Sequence, residues 1–162
     1  MNKKIALLAA AATLAFGASS AQAATASADA TATILQQITV TKTADLAFGT
    51  IVVGATGGNV TVANNGTTAI SCAAALACSG TSNAAAFTVV GTVGEAVTVT
   101  VDPSVSLTSG SNSMSASLNP SYSGTHTLVA SDTLRVGGTL AVAGNQASGV
   151  YSGTFNVTVN YQ

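Results

Sequence analysis

From Gly149 to Gln162 apolar and polar side chains alternate with a period of two, and that pattern restricts this stretch to one kind of backbone. Tyr151, Phe155, Val157, Val159 and Tyr161 fall on one face, while Ser152, Thr154, Asn156, Thr158 and Asn160 fall on the other. Such a period, carried by β-branched and aromatic residues, is that of a half-buried β-strand. The expectation is one long strand ending inside its sheet, which any β-domain could use as its closing element.

The rest of the chain carries the same signature in shorter pieces. Runs of Val, Ile, Thr and Phe predict strands near Thr33–Thr41, Leu46–Val53, Asn59–Ala63, Thr67–Ser71, Ala86–Thr92, Ala96–Val101, Ser113–Leu118, Thr125–Val129, Thr133–Val142 and Val150–Tyr161. Gly57-Gly58, Asn64-Asn65-Gly66 and Gly144-Asn145 punctuate them as turns, and the pair Gly137-Gly138 also reads as a hairpin turn. Pro103 and Pro120 are placed in loops. Many short strands at this spacing, with no competing helical period, predict an all-β sandwich.

The beginning of the chain supplies a compartment. Lys3 and Lys4 precede an apolar run from Ile5 to Phe16, and Ala21-Gln22-Ala23 follows as a small-residue cleavage site. This is the pattern of a secretory signal peptide over residues 1–23, and the run is shorter than the roughly twenty residues that span a bilayer. The expected domains are therefore the leader 1–23, an N-terminal extension 24–36, and one β-sandwich domain 37–162. Cys72 and Cys78 are the only cysteines, and export to an oxidising compartment makes a disulfide their default state. A metal site is the alternative, though two Cys and one distant His fall short of four ligands.

After the leader the charged side chains are few: Lys42 and Arg135 against Asp29, Asp45, Glu95, Asp102 and Asp132, a net charge of about −3. Capture of nucleic acid or an anionic membrane needs clustered Lys and Arg, so neither partner is expected. Sparse charge also weakens self-repulsion, which suits a subunit that packs into a polymer as well as it suits a plain hydroxyl-rich surface.

Catalytic chemistry is thinly supplied, and no enzyme, cofactor or metal is expected. His126 is the only histidine; it could act as a base with a serine, oriented by Asp132 or Asp102, but its place between Thr125 and Thr127 predicts a solvent-facing strand residue. The acidic residues are scattered and lack calcium-loop spacing.

One further stretch alternates. Ala26, Ala28, Ala30, Ala32 and Ile34 share a face opposite Thr25, Ser27, Asp29, Thr31 and Thr33. Alanine buries little area, so this segment gains weakly from its own domain. It can be read as a strand donated to another subunit, as a linker, or as a plain first strand.

The penultimate Tyr161 and Gly149, fourteenth from the end, resemble the C-terminal motif of pilins assembled by the chaperone-usher route. Asp45-Leu46-Ala47-Phe48-Gly49, Gly137-Gly138-Thr139-Leu140 and the closing segment to Tyr161 resemble a family of bacterial secreted domains without assigned function. That family is similar to the spore coat protein U pilins and common-pilus major subunits, and the likeness covers about Ala30 to Tyr161. It implies an immunoglobulin-like sandwich left incomplete and completed by a donor strand. It further implies a secreted, fimbrial subunit with roles in adhesion or biofilm, partnered by copies of itself or other pilus subunits, a periplasmic chaperone and an outer-membrane usher. Gly149, Tyr151, Phe155, Val157, Val159 and Tyr161 would then be the assembly strand. The mostly alanine donor face departs from the larger apolar residues a strong donor presents. A self-contained ligand-binding sandwich, an adhesin or periplasmic module, is the alternative, though with no Trp a sugar-stacking platform is poorly supplied.

Overall fold

A computed structural model describes residues 22–66 and 70–162. All but the last two residues of the expected leader, and the first three of the strand expected over Thr67–Ser71, lie outside the described residues. The chain divides into two units, Met1–Thr33 and Ile34–Gln162. The described part of the first, residues 22–33, has no helix or strand, and its side chains are exposed.

The second unit is built of antiparallel strands wherever one face of an alternating run finds cover. The strand β7 (Ala96–Val101) shows the rule: Val97 and Val99 are buried, while Thr98 and Thr100 between them are exposed. It lies at the centre of a three-stranded sheet, between β10 (Gly124–Thr127) and β12 (Val157–Tyr161).

The larger sheet is organised by β11 (Asp132–Val142). Its first half pairs with β6 (Ala85–Val90) and its second with β3 (Gly58–Val62), while residues 136–140 pair with β9 (Asn112–Pro120). Beyond these, β1 (Thr39–Ala44) extends the sheet from β6, β4 (Ile70–Cys72) from β3, and β8 (Ser104–Ser109) from β9. A ribbon of β2 (Thr50–Val53) and β5 (Leu76–Ser79) completes the unit.

Two apolar clusters fill it. One gathers Val60, Val62, Leu76, Val105, Leu140 and Val142; the other gathers Val89, Val97, Val99, Leu134, Val136 and Val159. The second binds the two sheets together, because β6 and β11 supply one side and β7 and β12 the other. Leu46, Leu118 and Phe155 pack against both clusters. The all-β sandwich expected from the sequence is the fold observed.

Cys72 and Cys78 form the expected disulfide. It joins β4 to β5, fastening the β2–β5 ribbon to the larger sheet, and a loop this short contributes about 2 kcal/mol by restricting the unfolded chain.

Several sequence expectations are corrected. The ladder of the last strand covers only Val157–Tyr161, because residues 149–156 lie along β8 with a single bridge, Thr108 to Ser152. Gly153 permits that approach: a Cβ there would sit 2.2 Å from the Ser106 carbonyl oxygen. Gly137-Gly138 is no turn but the middle of β11. Neither β5 nor β8 is among the strands expected from the sequence, and β1 begins at Thr39 instead of Thr33. Pro120 ends β9 opposite Val136 instead of lying in a loop. Gly49, at φ 72°, separates β2 from the bridge between Ala47 and Asn83, so Leu46–Val53 is not one strand.

Candidate functional site: an open apolar seam

Two clefts run between the segment from Leu46 to Val53 and the segment from Gln146 to Phe155. The smaller, about 310 Å³, is lined by Leu46, Phe48, Phe87, Leu107, Tyr151 and Phe155, with Lys42 and Asp45 at its rim. The larger, about 900 Å³, adds Ile51, Val53, Met114 and Val142. Both include Leu46, Phe48, Leu107 and Tyr151, so together they form one seam.

Local structure holds its walls. The Phe87 and Phe155 rings meet edge to face, 6.1 Å between centroids at 76°. The Tyr151 hydroxyl donates to the Ala147 carbonyl at 2.8 Å and accepts from the Gln146 amide at 2.8 Å, which fixes its ring with the polar end satisfied. Lys42 and Asp45 form an exposed ion pair, a contact that stabilises little. Across the seam the two segments face each other without a ladder: among the described residues, Ala47 bridges only to Asn83 and Ser152 only to Thr108.

Outside the seam the chain before β1 is tied to β12, since the Tyr161 hydroxyl donates to the Gln36 carbonyl at 2.7 Å and accepts from the Thr92 amide at 2.7 Å. Gly91 makes room for this, as a Cβ there would sit 2.8 Å from that hydroxyl. At one end of the seam lie Val52 and Val150, both exposed. Apolar walls and an exposed apolar end suit an extended apolar chain lying between them.

A family model described as a domain of unknown function, DUF4402, matches residues 38–161. The chain belongs to the DUF4402 family. The match runs from just before β1 to the last residue of β12, and the whole seam falls inside the DUF4402 domain. Neither a curated protein nor a solved structure matches the chain.

The residues singled out in the sequence take different places. Tyr151 and Phe155 line the seam, while Val157, Val159 and Tyr161 turn their sides toward the core from β12, paired to β7. Gly149 sits against the Ser109 side chain. Ala26, Ala28, Ala30, Ala32 and Ile34 are exposed and in no strand. Leu46, Phe48, Phe87 and Leu107 were not foreseen as walls; the only signal was an apolar residue at alternate positions in separate segments.

His126 is not the solvent-facing residue its neighbours suggested. Its ring stacks on Tyr122 at 3.9 Å, and Nε2 lies 2.7 Å from the buried Asp132 carboxylate, whose other oxygen accepts from the Tyr122 hydroxyl at 2.8 Å. The carboxylate thus ties β10 and the turn before it to the start of β11. Burial, and then the hydrogen bond to Asp132 and its charge, push the Tyr122 phenol well above the ordinary tyrosine value. In the unfolded chain this phenol ionises near pH 10 while the folded one keeps its proton, so its contribution to stability is full below pH 10 and declines above it. Absorbance titration is expected to show the Tyr122 phenol withheld from ionisation until the domain unfolds, and Asp132→Asn is expected to lower its midpoint. Among the described residues, no group of three or more His, Cys, Asp and Glu could hold a metal ion, and no helix is long and apolar enough to cross a membrane.

Proposed function

We propose that the DUF4402 domain of this chain is a structural subunit of a secreted surface fibre, of fimbrial or pilus type, assembled by β-strand addition. The open seam carries this reading. An extended segment laid between Leu46–Phe48 and Tyr151–Phe155 gains backbone hydrogen bonds, while alternate side chains enter the two clefts and set the register. In the cell the route would run through the periplasm, with a chaperone holding the seam and an outer-membrane usher exchanging it, toward a role in adhesion or biofilm. The resemblance to chaperone-usher and spore coat protein U pilins supports that route, as do the sparse charge and secretory leader.

The donor in this reading is Ala26–Ile34 of a neighbouring copy or another subunit. Each alanine buries little, so affinity rests on the backbone ladder, with Ile34 the one large apolar anchor. Adding a synthetic peptide of residues 24–41 to purified chain 24–162 is expected to raise its melting temperature by roughly 5–10 °C at about a hundredfold over Kd. Slowed amide exchange at residues 46–53 and 149–156 should accompany it. A stable monomer indifferent to the peptide would sink the reading.

The volume of the larger cleft favours a second reading, a self-contained sandwich that binds a small ligand, since about 900 Å³ lies in the range of small-molecule sites. The same titration separates the two. A ligand module would be monomeric and stable without the peptide.

A further inference from the structure

We infer that the face around Leu35, Val93 and Val129 is the docking surface for a second copy of this chain, placed against the open mouth of that copy's seam. The inference rests on the strand-addition reading and adds where the two bodies must touch. Its starting point is a tether. The Gln36 amide donates to the Thr92 hydroxyl at 2.7 Å and its carbonyl accepts from Tyr161, so the extension is held to the domain at Gln36. Ile34, 93 % exposed, is two residues earlier, and two residues of extended chain span at most about 7 Å. A copy that takes Ile34 into its seam must therefore sit directly on the surface from which Gln36 emerges.

That surface is apolar and already ordered. Val93 is 62 % exposed and Val129 55 %, and the bond from the Gly94 amide to the Leu128 carbonyl at 2.9 Å brings their two turns together beside Thr92. Leu35 and Val90 are also exposed there. Glu95 is the one charged residue in the segments 34–38, 90–95 and 128–131.

The mouth of the seam matches it in character and lies at the other end of the strands. Register fixes this: Thr39 pairs with Val90, and Tyr161 with Val97, at the tethered end, whereas Ala44 pairs with Ala86, and Val157 with Val101, at the opposite end. Val52 and Val150 lie beyond that opposite end, beside the loops joined by the bond from the Asn145 amide to the Gly54 carbonyl. Residues 54–57 and 143–150 carry no charge. Identical copies can thus meet tethered end to mouth without like-charge repulsion, and a head-to-tail contact between unlike surfaces propagates as an open filament.

The test separates docking from strand addition. The exported chain carrying both Val93→Asp and Val129→Asp is compared with wild type for melting temperature, for binding of a synthetic peptide of residues 24–34, and for fibre formation by electron microscopy and sedimentation. The expected result is an unchanged melting temperature, peptide affinity within about twofold of wild type, and a critical concentration for assembly raised about tenfold or more, since a carboxylate at the docking face would have to leave water for an uncharged apolar mouth. Normal assembly by a variant that binds the peptide normally would overturn the docking surface and leave strand addition standing. Failure of the wild-type chain both to bind the peptide and to assemble would overturn strand addition and the docking surface with it. If the double variant melts early, Val93→Lys alone, in the exposed turn after Thr92, carries the same comparison.

Discussion

Gly137→Val is expected to leave no folded domain. A Cβ at Gly137 would lie 2.4 Å from the Val62 carbonyl oxygen and 2.8 Å from Ala63 and Asn64 backbone atoms, none of which can swing aside as a side-chain tip would. Relief requires β11 and the end of β3 to separate at the point where the long strand passes from β6 to β3, beside Val136 and Val62 in the two core clusters. Opening that contact exposes buried valines worth about 1.5–3 kcal/mol each, against a domain stability of about 5–15 kcal/mol. Gly54→Ala is the matched control, because nothing lies within 4 Å of its added methyl group, and it should stay within about 0.5 kcal/mol of wild type. Circular dichroism melts of the two variants decide the matter. Comparable stability would mean that β11 does not pass this close to β3.

That glycine also shows what could be read without the structure. The alternation of Thr133–Val142 marked a strand through Gly137-Gly138, and the strand is there; the hairpin-turn reading of the pair failed because glycine serves close backbone approach as readily as it serves turns. Strands such as β7 were legible because one face is buried and the other wet. β8, Ser104–Ser109, escaped notice because its outward serines and threonine dilute the apolar signal, and β5 because four residues around a cysteine carry almost no period. In the closing segment the alternation correctly assigned faces but said nothing about neighbours. A chain can keep its period of two while passing from the edge of β8 to the edge of β7, and this one does. The seam was hidden for a stronger reason: Leu46, Phe48, Phe87 and Leu107 come from separate stretches that only the sheet order brings together. The same holds for His126, whose partner Asp132 is buried across the turn from β10 to β11.

Val159→Asp should cost most of the domain's stability while leaving it folded, and the face it points to is the whole reason. Val159 pairs with Val99 at the middle of β12 and packs in the cluster that binds the two sheets. The substitution loses about 1.5–3 kcal/mol of apolar burial and strands a carboxylate among valines and leucines, at several kcal/mol more. Asn160→Asp introduces the same group one residue later on the opposite, exposed face beside Thr98, where about 0.5 kcal/mol is the expected change. A pH series adds a sign. Burial raises the folded-state pKa of the introduced carboxylate at position 159 above its unfolded value near 3.9, so the penalty is smallest below that value and grows as pH rises. The stability gap between the two variants should therefore be narrower at pH 4 than at pH 7 in denaturant titrations. If both variants lose stability equally at pH 7, β12 does not present alternate faces to core and solvent, and the edge that the seam depends on is not where the register places it.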